Sequence, residues 1–199
     1  VRNAARVALE FSPVETWSER AHSGGNLTAL LALTRQGSEK DRKAILQKLT
    51  SFTPADLVKS ERLIFLRICE ISLRDETPLK NRVREQLINS VESLLPSPSA
   101  AVSKEACRIL ALLEAPSSVD HCLKQFSEAE SQLDALHYLE VLSGIEQHWT
   151  TDQRRRFFRH LGYAKHFSFG DRFMAPFFEG LEKEALSYIS DEKTREEMA

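Results

Sequence analysis

The sequence predicts an all-α protein built as a stack of antiparallel helix pairs, and three observations carry that prediction. From Val83 to Phe126 the chain reads VREQLINSVESLLPSPSAAVSKEACRILALLEAPSSVDHCLKQF. An apolar-striped helix ends at Leu94-Leu95-Pro96, a short Ser/Pro turn follows, a second striped helix opens with Val102, and a turn at Pro116 starts a third. Second, no window shows the sustained period-two alternation of a half-buried strand. Third, the 7 Gly and 7 Pro fall mostly where helices should start or stop.

A helical pair of this kind buries its apolar face only by stacking on neighbours. The predicted architecture is therefore a HEAT-like α-α superhelix, a right-handed solenoid, as a single domain over 1–199. Repeats occupy 1–147 and an aromatic-rich C-terminal cap occupies 148–199. The opening VRNAARVALE has no initiator Met and reads as the middle of a helix, so the expectation is a fragment of a larger protein.

Each element has its own signal. Arg2 to Phe11 reads as a helix that closes one hairpin. Ser12-Pro13-Val14-Glu15 reads as a capping box with Pro13 at the first helical position. Gly24-Gly25 break the chain, and Asn26 caps a helix striped by Leu27, Leu30, Leu31 and Leu33 that Gly37 ends. Ser38 with Asp41 opens the next, carrying Ala44, Ile45, Leu46 and Leu49. Thr53 to Asp56 repeats the cap logic before a helix over 61–73. That helix, with Leu63, Ile64, Leu66, Ile68, Ile71 and Leu73, is apolar almost all round and is expected inside the stack.

Leu79, Val83, Leu87, Ile88, Val91, Leu94 and Leu95 then form one stripe, and Val102, Ala106, Ile109, Leu110 and Leu113 the next. Eight of the 11 phenylalanines lie after residue 125. Thr150 or Thr151 caps a helix there, Gly162, Gly170 and Pro176 interrupt the pattern, a loop surrounds His166–Asp171, and the charged tail from Asp191 frays.

Composition restricts the function classes. A net charge of −2 with 28% charged residues gives no global pull toward nucleic acid or anionic lipid. No apolar run reaches the roughly 18 residues of a membrane span. There is no G-x-S-x-G, Walker loop or dinucleotide fingerprint, so no catalytic residue is assigned. Cys69, Cys107 and Cys122 show no C-x-x-C; they read as buried thiols, with a Cys107–Cys122 disulfide as the sharper alternative. Among His22, His121, His137, His148, His160 and His166 no pair has the i, i+4 spacing common in zinc sites, and no metal is expected.

One basic concentration stands out: Arg154, Arg155, Arg156, Arg159, Lys165 and Arg172, beside the aromatics. It reads either as a phosphate or single-strand site or as a solvated helix face neutralised by Glu179, Glu182, Glu184 and Glu192. The candidate interaction surface comprises Trp149, Arg154, Arg155, Arg159, His137 and Tyr138.

The order of motifs resembles the HEAT-repeat region of the large haem-binding proteins of planctomycetes and related bacteria. The resemblance runs from Val1 to about Ile189 through VRNAARVALEFSPVETWSERA, LLALTRQG, FLRICEISL, the Leu-Leu-Pro turn, LALLEAPSSVDHCL, LDALHYLEVL and HWTTDQRRRFF. The chain departs from it at Ser103–Ala106, where the family often has Asn-x-Glu-Leu, and at 165–170, where it tends to have Gly-Gly-x-Ser-Phe. The resemblance implies an exported, periplasmic protein with an upstream propeller-like domain and a downstream cytochrome module carrying c-type haem through CxxCH. No cofactor is then expected in this stretch itself.

The first functional reading is a non-catalytic scaffold that spaces or docks domains of such a redox protein, its partners being neighbouring domains of the same polypeptide or another protein. On this reading the chain is a monomer without nucleic acid or membrane span. The alternatives are a HEAT-like nucleic-acid or DNA-glycosylase-type module and a stand-alone peptide-binding adaptor anchored by Trp17 or Trp149.

Overall fold

The computed structural model describes residues 2–74, 79–167 and 174–198, with side chains from residue 4 onward. Among these residues there are only helices, turns and irregular segments, with no strand. The chain forms two compact units, Val1–Leu113 and Glu114–Ala199.

Among its described residues the first unit holds seven α-helices: α1 (Arg2–Glu10), α2 (Ser18–Ser23), α3 (Leu27–Gln36), α4 (Glu39–Leu49), α5 (Lys59–Leu73), α6 (Asn81–Glu92) and α7 (Ala100–Leu112). They make two rows. Helices α1, α3, α5 and α7 pack in succession, while α2 lies on α3, α4 touches both α3 and α5, and α6 lies on α7. The predicted stripes supply the core, with Leu30, Leu33, Ile45, Leu49, Leu87, Ile109 and Leu110 fully enclosed. Because α5 meets α3, α4 and α7, it buries Phe65, Leu66, Ile68 and Cys69 and half-buries Leu63, Ile64 and Ile71. Its buried Glu70 is satisfied by Arg67 and Arg74, the latter at 2.8 Å.

Several caps form as the residues dictate. The Asn26 carboxamide oxygen accepts from the amides of Thr28 (2.9 Å) and Ala29 (3.3 Å). Ser38 and Asp41 form a reciprocal capping box at α4. There the Asp41 carboxyl also meets His22 Nε2 at 3.0 Å. The Ser38 hydroxyl first, then His22, hold the Asp41 pKa down to about 2. Ser38→Ala should cost about 1 kcal/mol of stability in a urea melt. The depressed carboxyl stabilises above its ordinary 3.8, and that contribution is lost as pH falls through about 2. In Ser38→Ala this loss should be smaller and be complete at a higher pH, because only the folded-state pKa rises.

The Ser12 box does not form. Val14–Thr16 is a single 3-10 turn without a side-chain cap, and the amides of Thr16 and Trp17 are served by the Pro13 and Val14 carbonyls. Ser12 instead donates back to the Ala8 carbonyl at 2.9 Å, closing α1 rather than opening the 3-10 turn. Pro54–Asp56 is likewise a 3-10 turn, and Thr53 makes no side-chain cap bond. Cys69, Cys107 and Cys122 are all buried thiols outside any disulfide. Desolvation pushes the Cys69 pKa up to about 12, which removes it from thiolate chemistry.

The second unit holds α8 (Ser118–Ser127), α9 (Gln132–Ser143), α10 (Thr151–Ala164), α11 (Met174–Ser187) and α12 (Glu192–Met198). Helices α8 and α9 pair, α9 touches α10 and α11, and α10 also meets α8, α11 and α12. Gly162 lies within α10 and Pro176 within α11, so neither breaks its helix. The tail is ordered as α12. Asp191 accepts from the Thr194 amide at 2.7 Å, Arg195 donates to the Ile189 carbonyl, and Met198 is buried. Of the loop predicted around His166–Asp171, 168–171 lie outside the described residues.

Candidate interaction face on α10

Helix α10 starts at a reciprocal box in which Thr150 Oγ1 accepts from the Gln153 amide (3.2 Å) and Gln153 accepts from the Thr150 amide (2.8 Å). Gln153 also reaches Asp120 of α8 at 2.7 Å. Phe157, Leu161 and Ala164 turn inward at helical spacing and fix which face is left outside.

Just before the helix, His148 adopts φ 65°, the left-handed region that costs a β-carbon residue on the order of 1 kcal/mol. That turn delivers Trp149 onto the start of α10. Its indole donates to the Ile145 carbonyl at 2.8 Å and meets Phe157 edge-on at 5.7 Å. Arg154 lies 5.4 Å from the indole centroid and donates to the Tyr188 carbonyl at 3.5 Å. Burial pulls its pKa below the ordinary value, yet a guanidinium stays charged at neutral pH. Trp149 and Arg154 are thus brought together as one packed cluster that anchors the helix.

The other predicted residues lie apart from that cluster. Arg155 is exposed and pairs with Glu197 of α12 at 3.3 Å; Arg159 is exposed on the same outer side. Lys165 pairs with Glu182 of α11 at 2.9 Å, and Arg172 is outside the described residues. His137 and Tyr138 sit on α9, their rings edge-on at 5.5 Å, with Tyr138 buried. Trp17 is buried in the first unit, its indole donating to the Ser12 carbonyl at 3.3 Å.

Two participants had no individual signal in the sequence. Tyr163 is 65% exposed, and its ring meets Phe167 edge-on at 5.4 Å. His160 stacks on Phe126 of α8 at 4.3 Å, with a buried Nε2 that has no hydrogen-bond partner. Burial first, then Arg156 and Arg159, hold the His160 pKa below its ordinary 6.5. A depressed histidine penalises the fold when protons are available. Its stability contribution is complete above pH 6.5 and falls away as pH drops from there through the folded-state pKa. His160→Leu should flatten that limb, read as the difference between variant and wild-type urea midpoints across pH.

In the first unit a cleft of about 260 Å³ opens beside the start of α3, between Asn26, Phe52 and Leu57. The Asn26 side chain already takes the helix-end amides, and Glu61 lines the cleft, so the arrangement does not suit an anion. Among the described residues no three His, Cys, Asp or Glu side chains converge as metal ligands, and no helix is long and apolar enough to cross a membrane.

Among the described residues these observations define an all-α protein with arginines and aromatic rings on α10. No family model, curated protein or solved structure matches the chain.

Proposed function

We propose that the chain is a non-catalytic helical-repeat scaffold that spaces or docks the domains of a larger exported redox protein. The observation that carries the scaffold reading is the double row of the first unit, in which α1, α3, α5 and α7 succeed one another and α2, α4 and α6 flank them. Regular succession of this kind supports assignment to a HEAT-like, right-handed superhelix, whose use is to hold surfaces at fixed separation. The redox setting rests on the resemblance to haem-binding planctomycete proteins. That resemblance implies a propeller-like domain before this region and a c-type cytochrome module after it, in the periplasm. Electron transfer depends steeply on distance, and a rigid spacer sets that distance.

The test is to express the natural polypeptide beyond Ala199 in a host that exports proteins and matures c-type haem, then record its visible spectrum and intact mass. A covalent haem is the expected result. A colourless, unmodified polypeptide would overturn the redox setting and leave a helical-repeat module to be assigned by its α10 face.

A further inference from the structure

The outer side of α10 carries a stripe that the packing of the helix does not use. Asp152, Arg156, Arg159 and Tyr163 follow at steps of four, three and four, which places them on one helical face. Arg159 and Tyr163 are exposed and Arg156 half-buried. Neither Arg156 nor Arg159 forms an ion pair with a described residue, although both lie close enough to bear on His160. Tyr163 adds an open aromatic surface backed by Phe167. Two guanidiniums without an ion pair among the described residues and an exposed ring one turn further on make a recognition stripe, because arginine binds carboxylates through a planar fork and tyrosine gives contact area at low entropic cost.

We infer that this stripe docks an acidic peptide segment, its carboxylates on Arg156 and Arg159 and an apolar side chain on Tyr163. The inference rests on the docking part of the proposed function and names the chemistry of the partner. Charge complementarity selects a peptide over a nucleic acid. Asp152 stands in the stripe itself, and Glu182 and Glu197 are bound to basic residues of the same region, so a continuous phosphate backbone would meet carboxylates. A peptide can place single carboxylates between them. The protein already shows the contact in miniature: Glu197 of the acidic α12 reaches Arg155 at 3.3 Å, on the flank of the stripe. In this arrangement α12 shields one arginine and leaves two for the partner.

The experiment is fluorescence anisotropy with a short labelled peptide of glutamate pairs separated by leucine. Its lysine counterpart, oligothymidine and phosphatidylserine vesicles serve as competitors. The glutamate peptide should bind and weaken with added salt. Arg156→Ala with Arg159→Ala should weaken it about tenfold. Tyr163→Ala should weaken it a few-fold without altering the salt slope, and Glu197→Gln should tighten it about threefold by releasing Arg155. Far-ultraviolet circular dichroism confirms that each surface variant keeps its helices. Equal binding by the double arginine variant would overturn the assignment. So would no binding at all, or tighter binding of oligothymidine or vesicles. Should the peptide fail while the longer polypeptide carries covalent haem, the spacer reading stands and only the α10 assignment falls; binding by a colourless polypeptide gives the reverse.

Discussion

Phe157→Ala should destabilise the second unit by about 3–5 kcal/mol, the largest loss expected from one substitution at the α10 face. The ring is 1% exposed and meets both Trp149, at 5.7 Å, and Phe158, at 5.1 Å. Deletion removes its transfer free energy and leaves a cavity under the indole that Arg154 covers. The measurement is a urea melt followed by tryptophan fluorescence in a Trp17→Phe background, which leaves Trp149 as sole reporter. A shift worth less than about 1 kcal/mol would show that the site collapses freely and that Phe157 is not what holds the Trp149–Arg154 cluster.

Gly37→Ala should cost about 1–3 kcal/mol, toward the upper end. The reason is close approach rather than an unusual backbone, since Gly37 has φ −76° and ψ 173°, which any residue adopts. A β-carbon there would stand 2.6 Å from the Leu33 carbonyl oxygen and 2.9 Å from Asp41 Cβ. The first contact is backbone and cannot swing away, and the Gly37 amide already donates to that carbonyl at 2.7 Å. Relief has to come from separating the end of α3 from the start of α4, which also strains the Ser38–Asp41 box. Denaturant melts of Gly37→Ala and Ser38→Ala, alone and combined, test this. Strict additivity would mean that the glycine and the box act independently, against the shared geometry argued here.

Local signals account for much of the second unit and its interaction face. The threonines at 150 and 151 mark the start of α10 to within one residue, and the structure makes Thr150 the cap and Phe157 and Leu161 the inner face. The arginine run was visible as a run. Which arginines lie packed and which lie open was not, because Arg154 and Arg155 are neighbours in sequence yet meet Trp149 and Glu197 respectively. Tyr163 and His160 carry no pattern of their own. One becomes exposed and the other stacked only when α8 takes its place beside α10.

The all-α class, the caps at Asn26 and Ser38, the start of α10 to within one residue, and the buried stripes of α3, α6 and α7 were determined by the sequence itself. They depend on bonds and periodicities spanning a few residues, which local chemistry specifies. Tertiary structure decided the rest. It turned Ser12 backward onto Ala8, carried α10 and α11 through Gly162 and Pro176, and made a docked helix of the acidic tail by burying Met198. It also set Glu10 of α1 between Arg6 and Arg35, the latter at 3.6 Å, and left Phe11, just beyond that helix, 88% exposed. A helix records its periodicity in its sequence, but which face meets a neighbour is settled by the neighbour.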